Sequence, residues 1–205
     1  MIELYFWTTS NGYKVRLMIE EVGVPYNLHP IDIQKNEQRL PEYLAISPGH
    51  KIPALIDPDG PDGRKVSLFE SGPIIQYLAN KSNSPLYPDD PIQRLLVDQW
   101  FFFGAASFAP ISQQLVVFMH RFPEDVPPAK NHYRGLVRDI YATLDRRLAT
   151  NEYLAGDYSL ADIGNVTHAH QYEWLEIDLA EYPNLARWHD TIWARPAIER
   201  AYSPI

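Results

Sequence analysis

Residues 49–57, Gly-His-Lys-Ile-Pro-Ala-Leu-Ile-Asp, and residues 66–73, Val-Ser-Leu-Phe-Glu-Ser-Gly-Pro, bound the stretch around which the chain is organised. Ala54–Asp57 is a short apolar segment of strand character. Pro58-Asp59-Gly60 and Pro61-Asp62-Gly63 are turn clusters, in which proline presets φ and glycine admits the left-handed region. Val66–Phe69 is the return strand, so the stretch predicts a β-hairpin. Glu70-Ser71-Gly72-Pro73 then reads as a helix start, with Ser71 as N-cap and Pro73 in the first turn, where its missing N–H costs nothing. A helix N-terminus presents unpaired N–H groups and positive potential, so it holds a carboxylate, and Glu70 beside it accepts an ammonium. The two receptors together suit the head group of an α-amino acid. An ordinary hairpin with a well-capped helix would carry the same residues without a ligand. Ile52-Pro53 is a candidate cis peptide, as X-Pro bonds are.

Upstream, Ile2–Trp7 is a strand rich in aromatic and branched residues, and Thr8-Thr9-Ser10-Asn11-Gly12 is a polar turn. Val15, Leu17, Met18, Ile19 and Val22 form an apolar helix stripe that stops near Gly23 and Pro25. Tyr26–Ile33 reads as a second strand, followed by a loop through Gln38 and a helix near Pro41–Ala45. With the hairpin and a helix over Ile74–Ala79, the order is β-α-β-α-β-β-α, a small mixed sheet flanked by helices. Residues 1–81 therefore predict a thioredoxin-like α/β domain. Residues 82–91 are a linker in which Pro85, Pro88 and Pro91 forbid regular structure.

Residues 92–205 are helical in pattern, an all-α domain. A long aromatic-rich helix begins near Ile92 and is expected to break around Pro110. Pro123–Pro128 is a loop, Tyr133–Leu148 is amphipathic, and further helices follow near Leu160–Tyr172 and Leu185–Ala194. Ser159-Leu160-Ala161-Asp162 is a capping-box variant with Asp as the reciprocal partner. It is assigned to structure.

The chain has 205 residues, 45% of them hydrophobic, with a formal net charge of -8, and no Lys/Arg cluster offsets that charge. These values predict a globular protein and disfavour a nucleic-acid surface. No uninterrupted run of eighteen apolar residues occurs, and the first residues lack a basic n-region, so a soluble cytoplasmic protein with no membrane span is expected. There are no cysteines. Disulfides, thiolate metal sites and protein-borne thiol catalysis are excluded, and any sulfur chemistry must use a thiol that a ligand brings. His168 and His170 lie two apart on a helix and point to different faces, so no metal is expected.

The turn after the first strand is where a thioredoxin carries its Cys-x-x-Cys, and here it reads Thr9-Ser10-Asn11-Gly12-Tyr13-Lys14. A free thiol near pKa 8.5 is mostly protonated at neutral pH, and donors aimed at its sulfur beside a helix N-terminus favour the thiolate. The Asn11 amide and the Thr9 and Ser10 hydroxyls are such donors. They are also good capping residues, and the residues alone leave both roles open.

Lys-Ile-Pro-Ala, Phe-Glu-Ser-Gly and Ile-Ile-Gln-Tyr-Leu together resemble the glutathione-binding half of glutathione S-transferases, and the similarity runs through nearly the whole chain. Asn-Gly-x-Lys after the first strand resembles the nu class, which includes bacterial glutathione-dependent disulfide-bond reductases, and the glutathione-binding domain of a fungal nitrogen-regulatory prion protein. The resemblance implies that Pro53 is cis, that the backbone of Ile52 pairs with the cysteinyl unit of glutathione, and that Glu70 and Ser71 grip its γ-glutamyl end. It implies that Asn11 lies at the sulfur with Thr9 beside it. Ser10 departs from the usual proline, and theta-like classes use a serine near this point. Gln38 corresponds to a contact with the glycyl end, to which Lys51 could add charge complementarity. His132 stands where related reductases place an arginine that reaches a ligand in the neighbouring subunit.

Trp100, Phe103 and Phe108 could line an apolar pocket for a second substrate, although aromatic runs on helices are more often core. The implied activity is thiol–disulfide exchange with glutathione as co-substrate, in a homodimer. Conjugation of glutathione to small electrophiles and a non-catalytic interaction or regulatory role are the alternatives.

Overall fold

A computed structural model describes residues 1–204. The chain divides into two compact units, Met1–Tyr87 together with the segment from Pro196 onward, and Pro88–Arg195. The sequence reading grouped 92–205 as one domain, whereas the last helix belongs with the first unit.

The first unit contains β1 (Ile2–Phe6), α1 (Ser10–Val22), β2 (Tyr26–Pro30), α2 (Pro41–Leu44), β3 (Ala54–Asp57), β4 (Val66–Phe69), α3 (Ser71–Lys81) and the late helix α9 (Pro196–Ala201). The sheet runs in the order β2-β1-β3-β4, with β1 parallel to β2 and antiparallel to β3, and β3 antiparallel to β4. The strands alternate as a half-covered sheet requires: Ile2, Leu4 and Phe6 are buried, whereas Glu3 and Tyr5 are not. Leu4 and Phe6 join Val15, Leu17, Met18, Leu55, Ile74 and Leu78 in a fully buried core. β2 ends at Pro30, short of the expected Ile33. Ile31 still donates its N–H to the Phe6 carbonyl at 2.8 Å, after which Asp32 turns the chain by accepting from the N–H groups of Gln34 and Lys35.

The hairpin is tied to α3 through Asp57, a buried carboxylate at the end of β3. Tyr77 and Lys81, one turn apart on α3, both reach Asp57 Oδ2, and the Asp59 N–H donates to its Oδ1 at 3.0 Å. α9 is fastened to α1 by Arg16, whose guanidinium donates to the carbonyl and hydroxyl of Ser203, each at 2.8 Å. Arg200 pairs with Glu20 at 2.8 Å, and Tyr13 stacks on Tyr202 with ring centroids 3.8 Å apart.

The second unit is all helical: α4 (Pro91–Phe102), α5 (Ala109–Val116), α6 (Pro127–Leu148), α7 (Leu160–Ala169) and α8 (Pro183–Trp193). α4 and α5 are not separated at Pro110. A π-helical segment, Phe103–Phe108, joins them, and the Ala109 N–H reaches back five residues to Gly104. That wide turn accommodates a proline whose ring would clash in a regular helix. Asn165 of α7 helps hold it open by donating to the Trp100 carbonyl at 2.9 Å. A second π-helical turn, Val117–Arg121, ends the rod.

The whole run Pro91–Arg121 is long and apolar enough to cross a membrane by length and composition, which a search for uninterrupted apolar residues overlooked. Its Val97, Phe101, Phe108, Leu115 and Val116 are buried in the helical core. α6 begins at Pro127, earlier than expected, because Pro127 and Pro128 sit in the first turn where prolines are tolerated.

The Ser159–Asp162 capping box forms as read. The Asp162 carboxylate accepts from the Ser159 N–H at 3.0 Å, the Ser159 hydroxyl at 3.3 Å, the Leu154 N–H at 3.0 Å and the indole N–H of Trp188 at 2.8 Å. Burial pushes its carboxyl up to about 6 against the opposing pull of these donors.

Candidate functional site

Thr9, Ser10 and Asn11 stand at the N-terminus of α1, with Ser71 beside Asn11. Thr9 is the N-cap: the backbone is extended, with φ -131° and ψ 161°, and the hydroxyl oxygen accepts from the Gly12 N–H at 3.1 Å. A hydroxyl that accepts through a lone pair still carries its own hydrogen to donate. Ser10 occupies the first helical position. Gly12 has to be glycine, since a Cβ there would lie 2.1 Å from the Trp7 carbonyl oxygen. The helix start thus lies directly against the end of β1, which accounts for Gly in the Asn-Gly pair.

Asn11 faces α3. Its Oδ1 accepts from Lys14 Nζ at 3.1 Å, and Ser71 Oγ lies 3.4 Å from the same ammonium and 3.5 Å from Asn11 Oδ1. Asn11 and Ser71 are 60 residues apart in sequence, so the fold itself unites the two motifs. Lys14 is buried, and burial lowers its ammonium to about 8, opposed by the negative charge of Glu70.

Glu70 adopts φ 72° and ψ 123°, an uncommon conformation for a residue with a side chain. Its carbonyl accepts the first helical bond, from Ile74 N–H at 3.3 Å, so the capping position of α3 is Glu70 and not Ser71. The reason is that the Ser71 hydroxyl is spent across the fold on Asn11 and Lys14 instead of along its own helix. Glu70 itself is exposed at the helix start, carboxylate beside positive potential.

The Ile52-Pro53 bond is cis, with Pro53 buried and Ile52 partly exposed. The carbonyl of Lys51, just before it, accepts from the Tyr43 hydroxyl at 2.7 Å and the Ser47 hydroxyl at 2.8 Å. These two buried residues set the loop, and sequence reasoning missed both. The only signal was a Tyr-x-x-x-Ser spacing across the end of a short helix. Burial raises the Tyr43 phenol to about 12, so it remains a donor throughout the neutral range. Lys51 points into an exposed part of the loop. Gln38 lies in the short 3-10 turn Glu37–Arg39, and its side-chain oxygen is buried without a hydrogen-bond partner.

The remaining candidates lie elsewhere. Phe108 is fully buried against Tyr141 and His168, a place in the helical core and not on a pocket wall. Trp100 and Phe103 meet edge to face with centroids 5.5 Å apart, both partly exposed, and Arg147 lies over the Trp100 ring. His132 is exposed on α6 beside Tyr133. Outside the candidates, Tyr5 of β1 stacks on His29 and meets Tyr43, a packing role. Among the described residues no group of three or more metal-ligating side chains comes together.

This arrangement, a thioredoxin-like sheet with a cis-proline loop and polar groups gathered at the first helix, has clear counterparts. Residues 10–81 match the glutathione S-transferase N-terminal domain, and residues 108–196 match the glutathione S-transferase C-terminal domain. The chain belongs to the glutathione S-transferase family. It is 38% identical over 203 residues to the disulfide-bond oxidoreductase YfcG of Escherichia coli K12, with 98% of this chain and 94% of that protein covered. A glutathione transferase of Burkholderia graminis, solved with two glutathione molecules per subunit, superposes with a TM-score of 0.93 at 35% identity, covering 99% of this chain and 88% of that one. A Pseudomonas putida glutathione transferase with one glutathione disulfide per subunit gives a TM-score of 0.93 at 32% identity, over 100% and 92% of the two chains.

Proposed function

We propose that this protein is a glutathione-dependent thiol–disulfide oxidoreductase whose nucleophile is the glutathione thiolate. The observation that carries the reading is the meeting of Asn11, Lys14 and Ser71 at the start of α1, in a chain with no cysteine of its own. Hydrogen-bond donors and a buried cation beside a helix N-terminus favour an anion there, and the ligand must bring the sulfur. The relationship to a bacterial disulfide-bond oxidoreductase, and neighbours that hold glutathione or its disulfide, supply the identity of that ligand.

In this reading Glu70 accepts the α-ammonium of the γ-glutamyl unit, and the N-terminus of α3, through the Ser71 backbone N–H, takes its carboxylate. The backbone of Ile52 pairs with the cysteinyl unit, and Gln38 with Lys51 attends the glycyl end. The Asn11 amide and the Thr9 hydroxyl donate to the sulfur, and Ser10 is the weakest of the three candidates. The thiolate attacks one sulfur of a disulfide, and the other sulfur leaves as a thiolate that takes up a proton. A second glutathione thiolate then attacks the mixed disulfide, releasing glutathione disulfide and the second reduced thiol. Two electrons pass from two glutathiones to one disulfide. The chain's contribution is to position the first glutathione and hold it ionised.

A homodimer and a cytoplasmic setting belong to the same proposal. A reducing, glutathione-rich compartment supplies the second thiol. The names of the solved neighbours favour a second reading, conjugation of glutathione to an electrophile. Steady-state reduction of hydroxyethyl disulfide, measured beside conjugation of an aromatic halide, separates the two. Disulfide reduction is expected to dominate. Conjugation far in excess of reduction reverses the assignment, and inactivity in both with glutathione still bound points to an interaction protein.

A further inference from the structure

We propose that Lys14 is a positioning residue that fixes which end of the Asn11 amide faces the glutathione sulfur; this rests on the glutathione reading above. The two ends of an asparagine amide are nearly the same size but opposite in function, since the nitrogen donates and the oxygen accepts. A thiolate needs the donor. An ammonium has three donors and no acceptor, so the Asn11 atom 3.1 Å from Lys14 Nζ has to be the oxygen. The Ser71 hydroxyl, 3.5 Å from that same oxygen, holds it from a second side. With Oδ1 pinned towards α3, trigonal geometry turns the amide nitrogen the other way. The cation favours that orientation by its charge, and an Asn11 rotated by half a turn would present its oxygen to an anion.

Lys14 is an unusual residue to find in this place. Nearly all its surface is buried, and a buried ammonium is retained only where a partner uses its charge. Glu70 is the charged group acting on it, and burial still lowers its ammonium to about 8. An apolar residue would fill the same volume without that cost. A bare charge-balancing role towards Glu70 is the competing explanation, and it makes no claim on the state of the amide.

The test uses the full chain with glutathione. Thiolate absorbance is followed against pH for the unaltered protein, Lys14→Met, Lys14→Gln, Asn11→Ala and the double variant Asn11→Ala/Lys14→Met. Lys14→Met is expected to raise the pKa of the bound thiol in the same sense as Asn11→Ala. The rate of disulfide reduction at pH 7 should fall roughly tenfold to hundredfold, less than or at the lower end of the loss for deleting one donor to an anion outright. The deficit should shrink as pH rises, and affinity for S-methylglutathione, which has no thiol to ionise, should change much less. Lys14→Gln keeps a donor and should recover part of the loss. The double variant should lose no more than Asn11→Ala, because one residue acts through the other.

An unshifted thiol titration in folded Lys14→Met, or losses that multiply in the double variant, overturns the proposal. A readout without glutathione guards against variants that fail to fold. In the unaltered free protein, the Asn11 side-chain amide resonances should move as Lys14 titrates near pH 8, and a flat response also overturns it. If the unaltered protein leaves glutathione unbound or its thiol protonated, the functional reading fails instead, and the amide titration still decides the role of Lys14.

Discussion

Two helix starts in this molecule carry the same kind of residues and serve different ends. At α7, Ser159 caps the helix and Asp162 returns the bond, and the carboxylate gathers donors from Ser159, Leu154 and Trp188. Acceptor and donors are both supplied by the chain, and the whole set is buried. At α1, Thr9 caps the helix, and Asn11, Lys14 and Ser71 bring an amide, a cation and a hydroxyl together, with the Glu70 charge acting on Lys14 from the start of α3. A helix N-terminus is closed when the chain supplies its own anion and receptive when it supplies only the complement of one. That difference, not the capping residue, separates a structural start from a binding one.

The comparison breaks most sharply at Asp162. Asp162→Ala strips a buried acceptor from several neutral donors, each costing about 1–3 kcal/mol if left unsatisfied, and should be the most destabilising change of those considered, read by denaturant unfolding. Asp162→Asn tests the electrostatics. Burial raises the native carboxyl to about 6, well above the ordinary aspartate value of about 3.9, so the folded state holds its proton more tightly than the unfolded state. Its contribution to stability is therefore full below pH 4 and is lost as pH rises towards 6 and beyond. The difference in stability between the unaltered protein and Asp162→Asn should follow that window, and a difference that is flat from pH 4 to 7 would show that the donors, not burial, govern this carboxyl.

Asn11→Ala is the counterpart at α1, with the opposite signature. It should cost about 2.7–4 kcal/mol of transition-state stabilisation at neutral pH if the site excludes water, with little change in unfolding free energy. Equal losses of stability and activity would make the α1 start structural like the other.

Much of this contrast was legible before any coordinates. Ala54–Asp57 and Val66–Phe69 are the strands the turn clusters marked, and the Ser-x-x-Asp spacing gave the capping box directly, because both features are local. What escaped depends on partners far apart in sequence. Ser71 read as a cap because its neighbours permit it, but Asn11 and Lys14 draw its hydroxyl away. Lys14 enters the sequence reading only as the last residue of the Asn-Gly-x-Lys pattern, with no role of its own. Tyr43 and Ser47, which hold the Lys51 carbonyl, are marked in the sequence only by their i, i+4 spacing, which many unrelated pairs share. Phe108 looked like a pocket residue because composition cannot tell which face of a helix is covered, and the π-helical turn before Pro110 shifts that face further. The sequence patterns predict elements well and long-range hydrogen bonds poorly.

Glu70→Ala sharpens the comparison from the ligand's side. Loss of the acceptor for the γ-glutamyl ammonium should weaken glutathione binding by roughly 1.5–3 kcal/mol, the scale of a charge-assisted hydrogen bond. The same change relieves Lys14 of its neighbouring negative charge, so the lysine's pKa should fall further. Calorimetry showing unchanged affinity in a folded variant would remove Glu70 from the site.

The smallest effect falls on Thr9, and it is the most discriminating because Thr9 belongs to both halves of the comparison. Its oxygen caps α1 by accepting from Gly12 at 3.1 Å, while its hydrogen remains available to donate to an anion. Thr9→Ala removes both functions and should cost about 1 kcal/mol of stability as a lost cap. It should also produce a thiol pKa rise smaller than that of Asn11→Ala. Thr9→Ser keeps the hydroxyl and should restore both. Unfolding measured without glutathione reports only the cap, and thiolate absorbance of bound glutathione reports only the donor, so the two roles separate in one variant. A stability loss with no shift in the thiol titration would reduce Thr9 to the structural role that Ser159 plays at α7. Ser10→Ala, at the next position, should leave the titration nearly unmoved. If Ser10→Ala alone shifts it, the sulfur is held by the serine, as in theta-like classes, and the assignment of Asn11 falls with it.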